Sequence, residues 1–314
     1  MKSLVLCAVL LAGCASAPAT NDALWTLTDP RGDDYGSGPL VYPLNPDFQR
    51  GDLDLVRLTA KRLPGGTEFE AEMARPIRVP QRRTVDAIGT QLDQVARLGF
   101  YTFNIDIYVD TDGVAASGST TTLPGRGVLI DPSTAWEKVI ALTPDPETAR
   151  SELKRIVVRD ERRREQAEGR KGIIEEEQQQ ELQGSVDEFV FFPTQVRVNG
   201  RSISFFVPDS FLGGEAKSNW SYVVAVSGAD VVNRLDQQNR LLSRNDPSES
   251  LLILPVTTGR PTDRFGGALQ NDTYMPPLVD IIVAPGEDQK AVLSSYDADA
   301  DQPAVVKGVR PGGF

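Results

Sequence analysis

The sequence contains no histidine and only two cysteines, Cys7 and Cys14, both near its start. Lack of histidine excludes Ser-His-Asp and Cys-His nucleophile pairs, histidine zinc sites and the usual axial ligand of haem. Beyond Cys14 there is no thiol, so no disulfide can staple the domain and its stability must come from its core. Hydrophobic residues make up 40% of the chain, enough for such a core. No apolar run approaches the roughly 20 residues that a membrane-spanning helix needs. Basic residues are outnumbered, 33 against 44 acidic, and the net charge of -11 argues against nucleic acid and against electrostatic adhesion to anionic lipid. Carboxylates, hydroxyls, lysine, arginine and aromatics remain. That inventory suits hard cations and sugars, and among hydrolytic enzymes only the two-carboxylate kind.

The chain opens with Lys2 and a short apolar run, Leu4 to Leu11, followed by Leu11-Ala12-Gly13-Cys14. The last four resemble the lipobox of bacterial lipoproteins, in which small residues admit a peptidase and the cysteine sulfur accepts diacylglycerol. Residues 1–13 are therefore expected to be a signal peptide and Cys14 a lipidated N-terminus, anchoring the chain in the cell envelope. The other reading is an ordinary secretory signal with a chance cysteine. Residues 14–24 read as a flexible tether of at most roughly 30 Å. Ala15 resembles the pattern sent to the outer membrane where the host has one.

Residues 25–314 read as one all-β domain. Tyr101, Phe103, Ile105, Ile107 and Val109 alternate with Thr102, Asn104, Asp106 and Tyr108, the period of a half-buried strand. Val196 to Ile203 reads as a hairpin around Asn199-Gly200, a pair suited to a type I′ turn. Further strands are expected at Asp54–Leu63, Thr67–Met73, Trp220–Val226, Leu251–Leu254, Leu278–Val283, Lys290–Tyr296 and Ala304–Val309. Many short strands between Gly, Pro and Asp turns predict a sandwich of two antiparallel sheets. Two helical segments interrupt it. In the first, Thr84 caps a helix through Val85, Ile88, Leu92 and Val95 that ends at Gly99. The second, about 144–187, starts with Leu153, Ile156 and Val157 and turns almost wholly charged from Arg159 to Lys171. Asp160 with Arg164, and Glu168 with Lys171, have spacings that support an exposed helix. With little to bury, the insertion should project, either as a docking arm for a partner protein or as a solvated hairpin.

A series of blocks carries a longer resemblance. Asp29-Pro30-Arg31-Gly32-Asp33-Asp34-Tyr35-Gly36-Ser37-Gly38 and Tyr42-Pro43 are followed by Leu53-Asp54-Leu55, then Ile105 to Asp112 and Gly118-Ser119-Thr120. After these come Ala135-Trp136-Glu137, Trp220 to Val224, Phe265-Gly266-Gly267-Ala268, Pro277 to Asp280 and Leu293 to Tyr296. In this order they resemble the glucodextranase C-terminal domain family. The resemblance implies a β-sandwich similar to family 9 carbohydrate-binding modules and DOMON domains, a non-catalytic appendage of secreted glucan-degrading enzymes that binds carbohydrate or holds the enzyme at the cell surface. The chain departs from it in having no attached hydrolase, in the helix near Thr84 and in the charged insertion.

Candidate residues follow from chemistry. Asp29, Asp33 and Asp34 can offer oxygens to calcium, or serve as turn residues. Asp110-Thr111-Asp112-Gly113 resembles half a calcium loop but lacks the closing Glu of an EF-hand, so a site there needs completion from elsewhere. Asp106, and Asp280 within an apolar strand, need partners if buried. Sugar recognition wants an exposed aromatic face, for which Trp136 and Tyr108 are the candidates. Trp220 shares a strand face with Tyr222, Val224 and Val226 and reads as core. The leading functional expectation is a non-catalytic, membrane-anchored carbohydrate-binding or envelope-associated module. A scaffolding lipoprotein that docks a partner through the insertion is second. A glycosidase using Asp106 with Asp110 or Asp112 is third and disfavoured, because the strand would hold Asp106 and Asp110 roughly 13 Å apart.

Overall fold

The computed structural model describes residues 23–85, 89–231, 251–259, 262, 264–269 and 274–312. Cys14, the signal segment and nearly all of the tether lie outside the described residues.

The fold is the expected all-β sandwich. One sheet holds β1 (Ala23–Thr28), β2 (Leu55–Leu63), β3 (Gly66–Met73), β8 (Val196–Asn199) and β9 (Ser202–Pro208), in the order β1-β2-β3-β9-β8, antiparallel throughout. The other holds β4 (Phe103–Asp110), β6 (Lys138–Leu142), β7 (Val190–Phe191), β10 (Ser221–Gly228) and β13 (Leu278–Ile281), in the order β13-β10-β4-β6-β7, with only β6 and β7 parallel. Small parallel pairs flank them: β5 (Val128–Ile130) with β14 (Ala304–Val306), and β11 (Val256–Thr258) with β12 (Phe265–Ala268).

Alternation puts Leu58, Ala60, Phe69, Ala71, Ile203 and Phe205 of the first sheet against Phe103, Ile105, Ile107, Tyr222 and Val224 of the second, all nearly fully buried. Burying each large side chain contributes about 1.5–3 kcal/mol, so this layer holds the sheets together. Trp25 crosses it to Tyr222, with ring centroids 4.4 Å apart. Trp220, 6% exposed, belongs to the same core as its strand pattern indicates.

The outer face of the first sheet is wet and carries ion pairs such as Lys61–Glu70. The outer face of the second is not. A second apolar layer covers it, in which Tyr108, Val139, Ala141, Val223 and Ala225 meet side chains from β5, β14 and three helices. These are α2 (Pro146–Ala167), α3 (Glu176–Phe189) and α5 (Gln289–Leu293); the short α1 (Leu92–Val95) and α4 (Asp209–Leu212) lie elsewhere in the chain. β4 is thus buried on both faces, not half-buried, and Asn104 and Asp106 are interior groups.

Several elements differ from the sequence expectation. Lys290–Tyr296 is not a strand: Asp288 caps Lys290 N, and Gln289 and Leu293, one helical turn apart, are both buried in α5. Leu251–Leu254 makes one bridge, Ile253 to Ala229, because Leu251 and Leu252 have φ of +39° and +60°. The helix expected from Thr84 shrinks to α1. Gly89, at φ +92°, interrupts it, and Thr84 instead bridges Gln91; Asp86, Ala87 and Ile88 lie outside the described residues. The 196–208 hairpin forms, but Asn199 pairs with Ser202, so its loop is Gly200-Arg201 with only Gly200 at positive φ, +61°.

The charged insertion is the helical pair α2–α3. Asp145 accepts from Thr148 N at 3.2 Å and Pro146 starts the first turn. Leu153 and Ile156 are buried at its base, where Lys154 of α2 reaches Asp187 of α3 at 2.5 Å. Farther out the side chains face water. There Arg164 pairs with Glu161, and Arg170 with Glu165 and Glu168, in place of the pairs suggested by spacing.

Candidate functional site

Where β1 runs out and β2 begins, β13, the edge strand of the second sheet, comes close, and four aspartates gather there. Asp29 follows β1, Asp33 lies in the loop after it, Asp54 immediately precedes β2, and Asp280 sits within β13. Backbone contacts fix the place. Asp29 N donates to Val56 O, Gly36 N to Val279 O, and Gln289 Nε2 to Asp33 O at 2.5 Å. At Gly36, φ is +57° and an added Cβ would lie 2.5 Å from Leu278 O, so only glycine lets the loop approach β13 this closely.

One carboxylate oxygen each from Asp29, Asp33 and Asp280 lies within 4.8 Å of the others. Asp280 Oδ2 accepts from Leu55 N at 2.6 Å and Asp54 Oδ2 from Gly32 N at 2.6 Å. The opposite oxygens, Asp280 Oδ1 and Asp54 Oδ1, are buried without a donor, as are Asp29 Oδ2 and Asp33 Oδ1. Burial, reinforced by the neighbouring carboxylates, pushes Asp29 up to about 8 and holds Asp280 well above the usual carboxylate range. Asp33 is raised to about 6, mainly by burial, and Asp54 is raised for the same reason.

Asp34, expected with Asp29 and Asp33, is bonded to other groups, although its charge still acts on Asp33 and Asp54. Its Oδ2 accepts from the Tyr42 hydroxyl at 2.6 Å and from Gly51 N, and its Oδ1 lies 3.8 Å from Arg50 Nε. The place given to Asp34 in the sequence expectation is taken by Asp280, more than two hundred residues along the chain.

A second acidic group joins Asp110 and Asp112 with Glu137, the completion from elsewhere that the Asp110–Gly113 loop required. Most of its oxygens are occupied, but Asp110 is 1% exposed and its Oδ2 is buried without a donor. Asp110 accepts from Gly113 N, Asp112 from Val114 N and Ser117 Oγ, and Glu137 from Thr111 N, Thr111 Oγ1 and Ser117 Oγ. Turn chemistry accounts for the bonds to Asp110 Oδ1 and Asp112.

The sandwich and its loops match the family described as the C-terminal binding-module, SLH-like, of glucodextranase, over residues 24–308. The chain belongs to this family. No curated protein matches it significantly. In this binding module the blocks that suggested the relationship surround the acidic centre: the Asp29–Gly38 loop, Asp54, and Asp280 with Leu278.

The module's aromatic candidates separate. Tyr108 is 1% exposed; its hydroxyl accepts from Leu123 N at 3.0 Å and burial pushes it above the usual phenol range. Buried in the second apolar layer, it has no face for a sugar, which corrects the expectation for this residue. Trp136 is partly exposed, rests on Tyr108 at 5.7 Å between centroids, and donates Nε1–H to Thr121 O at 2.9 Å. Asp106, named for hydrolysis, is sealed. Arg126 Nε and Nη2 reach its two oxygens at 2.6 and 3.0 Å, and both side chains are nearly fully buried. Sequence reasoning saw that Asp106 needed a partner; only the fold could name Arg126. Among the described residues no helix is long and apolar enough to cross a membrane.

Proposed function

We propose that this chain is a non-catalytic module held at the cell envelope by lipid on Cys14, and that it binds carbohydrate beside Trp136. The carrying observation is that a binding-module family accounts for the chain from residue 24 to 308, sandwich and loops together. Trp136 supports the sugar contact because its indole is fixed by the Thr121 bond yet keeps an exposed part, as stacking on a pyranose requires. An SLH-like module fits the envelope, and lipid on Cys14 supplies the anchor that a net charge of -11 does not.

The test has two arms. Cells fed a clickable fatty acid should label the protein, and Cys14→Ala should abolish the label; equal labelling removes the anchor. A glycan array with the purified protein should give hits that Trp136→Ala weakens at least about tenfold, the scale of losing one aromatic contact. Unchanged binding would move the sugar site elsewhere.

A second reading is that the α2–α3 hairpin docks a partner protein. Ile173, 64% exposed between two charged helices, favours it. A protein partner lost on trimming residues 159–175, with no glycan hit, would select this reading.

A further inference from the structure

We propose that Asp29, Asp33 and Asp280, with Asp54 beside them, form a binding centre for one hard divalent cation, calcium, that ties the N-terminal loop and the start of β2 to strand β13. The inference concerns a metal and stands independently of any glycan.

Three acids close together would not carry it, since such groups are common on surfaces. What distinguishes this one is that all four acids carry a buried oxygen without a donor, against Asp110 alone in the second group, and that Asp280 lies deepest. Its side chain is 0% exposed, in a strand whose other residues are apolar; Leu55 N serves Oδ2, and the Asp29 carboxyl lies within side-chain hydrogen-bond reach. Oδ1 stays in the interior with no donor, in the group whose other oxygens belong to Asp29 and Asp33. Asp54, 2% exposed, repeats the arrangement: Oδ2 is satisfied by Gly32 N and Oδ1 by nothing. Leaving a buried acceptor unsatisfied costs about 1–3 kcal/mol, and more for a charged one, so the cluster needs a common partner: protons shared among the acids when it is empty, displaced by the cation when it binds. Among the described residues no lysine or arginine forms an ion pair with these four aspartates.

The donor chemistry selects the ion. Every candidate ligand atom is oxygen, which suits calcium or magnesium and not zinc or copper. Ligand oxygens around calcium lie about 2.3–2.6 Å from the ion, hence up to about 5 Å from one another, the scale of this cluster. An irregular set drawn from a loop, a strand start and an edge strand suits calcium's flexible geometry better than magnesium's octahedron. Water can complete the shell on the Asp33 side, the least buried of the four.

The purified full-length protein, freed of metal with chelator, is titrated with calcium chloride by calorimetry and melted with and without the ion. We expect one site with a dissociation constant on the order of 1–1000 µM, and a Tm rise of roughly 5 °C at about 100-fold excess over that constant. Asp280→Asn should weaken calcium at least tenfold, whereas Asp112→Asn, in the second acidic group, should leave it unchanged. If Asp280→Asn fails to fold, Asp33→Asn at the partly exposed ligand provides the same comparison. No heat together with an unmoved Tm would overturn the proposal. So would binding that survives Asp33→Asn and Asp280→Asn but is lost in Asp112→Asn.

Discussion

Arg126→Met offers a sharp test of how the second sheet is built. The guanidinium makes two bonds to Asp106 and two more through Nη1, to Pro124 O at 2.9 Å and Leu251 O at 3.1 Å. Methionine fills similar space but satisfies none of these acceptors. Asp106 lies between Ala225 and Ala141 of the neighbouring strands and would be left as an uncompensated carboxylate in the interior. Breaking a buried pair from one side costs about 3–5 kcal/mol. The two stranded carbonyls would add to this if water cannot reach them, and about 4 kcal/mol in total is a fair expectation. At about 2 °C per kcal/mol for a large domain, Tm should fall by roughly 8 °C. Urea unfolding followed by tryptophan fluorescence gives the free energy directly. The double variant Asp106→Leu with Arg126→Met should recover at least half of the loss, because replacing both partners removes the stranded charge. A single-variant loss below about 1 kcal/mol, or a double variant no better than the single, would refute the view that this pair is needed because each charge strands the other.

Two further predictions use the same assays. Gly267 has φ +104° and an added Cβ would lie 1.9 Å from Pro39 O, so Gly267→Ala should cost more than about 2 kcal/mol, whereas Gly213→Ala, at φ +78° with open space around it, should cost about 1; equal losses would contradict the close approach. In chelator, stability should fall as pH rises toward about 8. Asp29 in the folded chain sits at about 8, above its ordinary value of 3.8, so the native state holds a proton that the unfolded state has released. The slope should be at most about 1.4 kcal/mol per pH unit for that proton, and a flat denaturation profile between about pH 5 and pH 8 would remove the buried acid cluster from the stability balance.

Much of the sandwich was legible because it rests on period-two alternation. Phe103 to Val109 named the inner face of β4, and Ile203, Phe205 and Val207 that of β9. The other face of β4 was misread because Asn104 and Asp106 are polar. Pattern alone assigns polar groups to water, and only the fold shows Asn104 bonded to Leu252 O and Asp106 to Arg126. Lys290–Tyr296 was ambiguous for a different reason: a short apolar run fits strand or helix, and the deciding residue was the cap, Asp288, outside the run. At the acidic centre, Asp29 and Asp33 were visible through their local density, and Asp280 was visible as a carboxylate interrupting an apolar strand. That these belong together was not legible, because nothing local links residues so far apart, and Asp34 was drawn in by mere adjacency.

The joining of Asp33, Asp54 and Leu55 to Asp280 and Gln289 also sets the order in which the molecule can be made. The bonds involved span 225 residues from Leu55 to Asp280 and 256 from Asp33 to Gln289, nearly the length of the domain. Closing loops of that size precedes any reward from the contacts they allow, which makes such topologies slow to fold. A chain delivered N-terminus first, from a ribosome or through a translocation pore, cannot complete its first loop until β13 and α5 have emerged. Its early segments, the meander β1-β2-β3, must wait with one face and one edge uncovered, a form exposed to aggregation and proteolysis. Strand β13 therefore acts as a latch: it closes the first loop only once most of the domain has arrived.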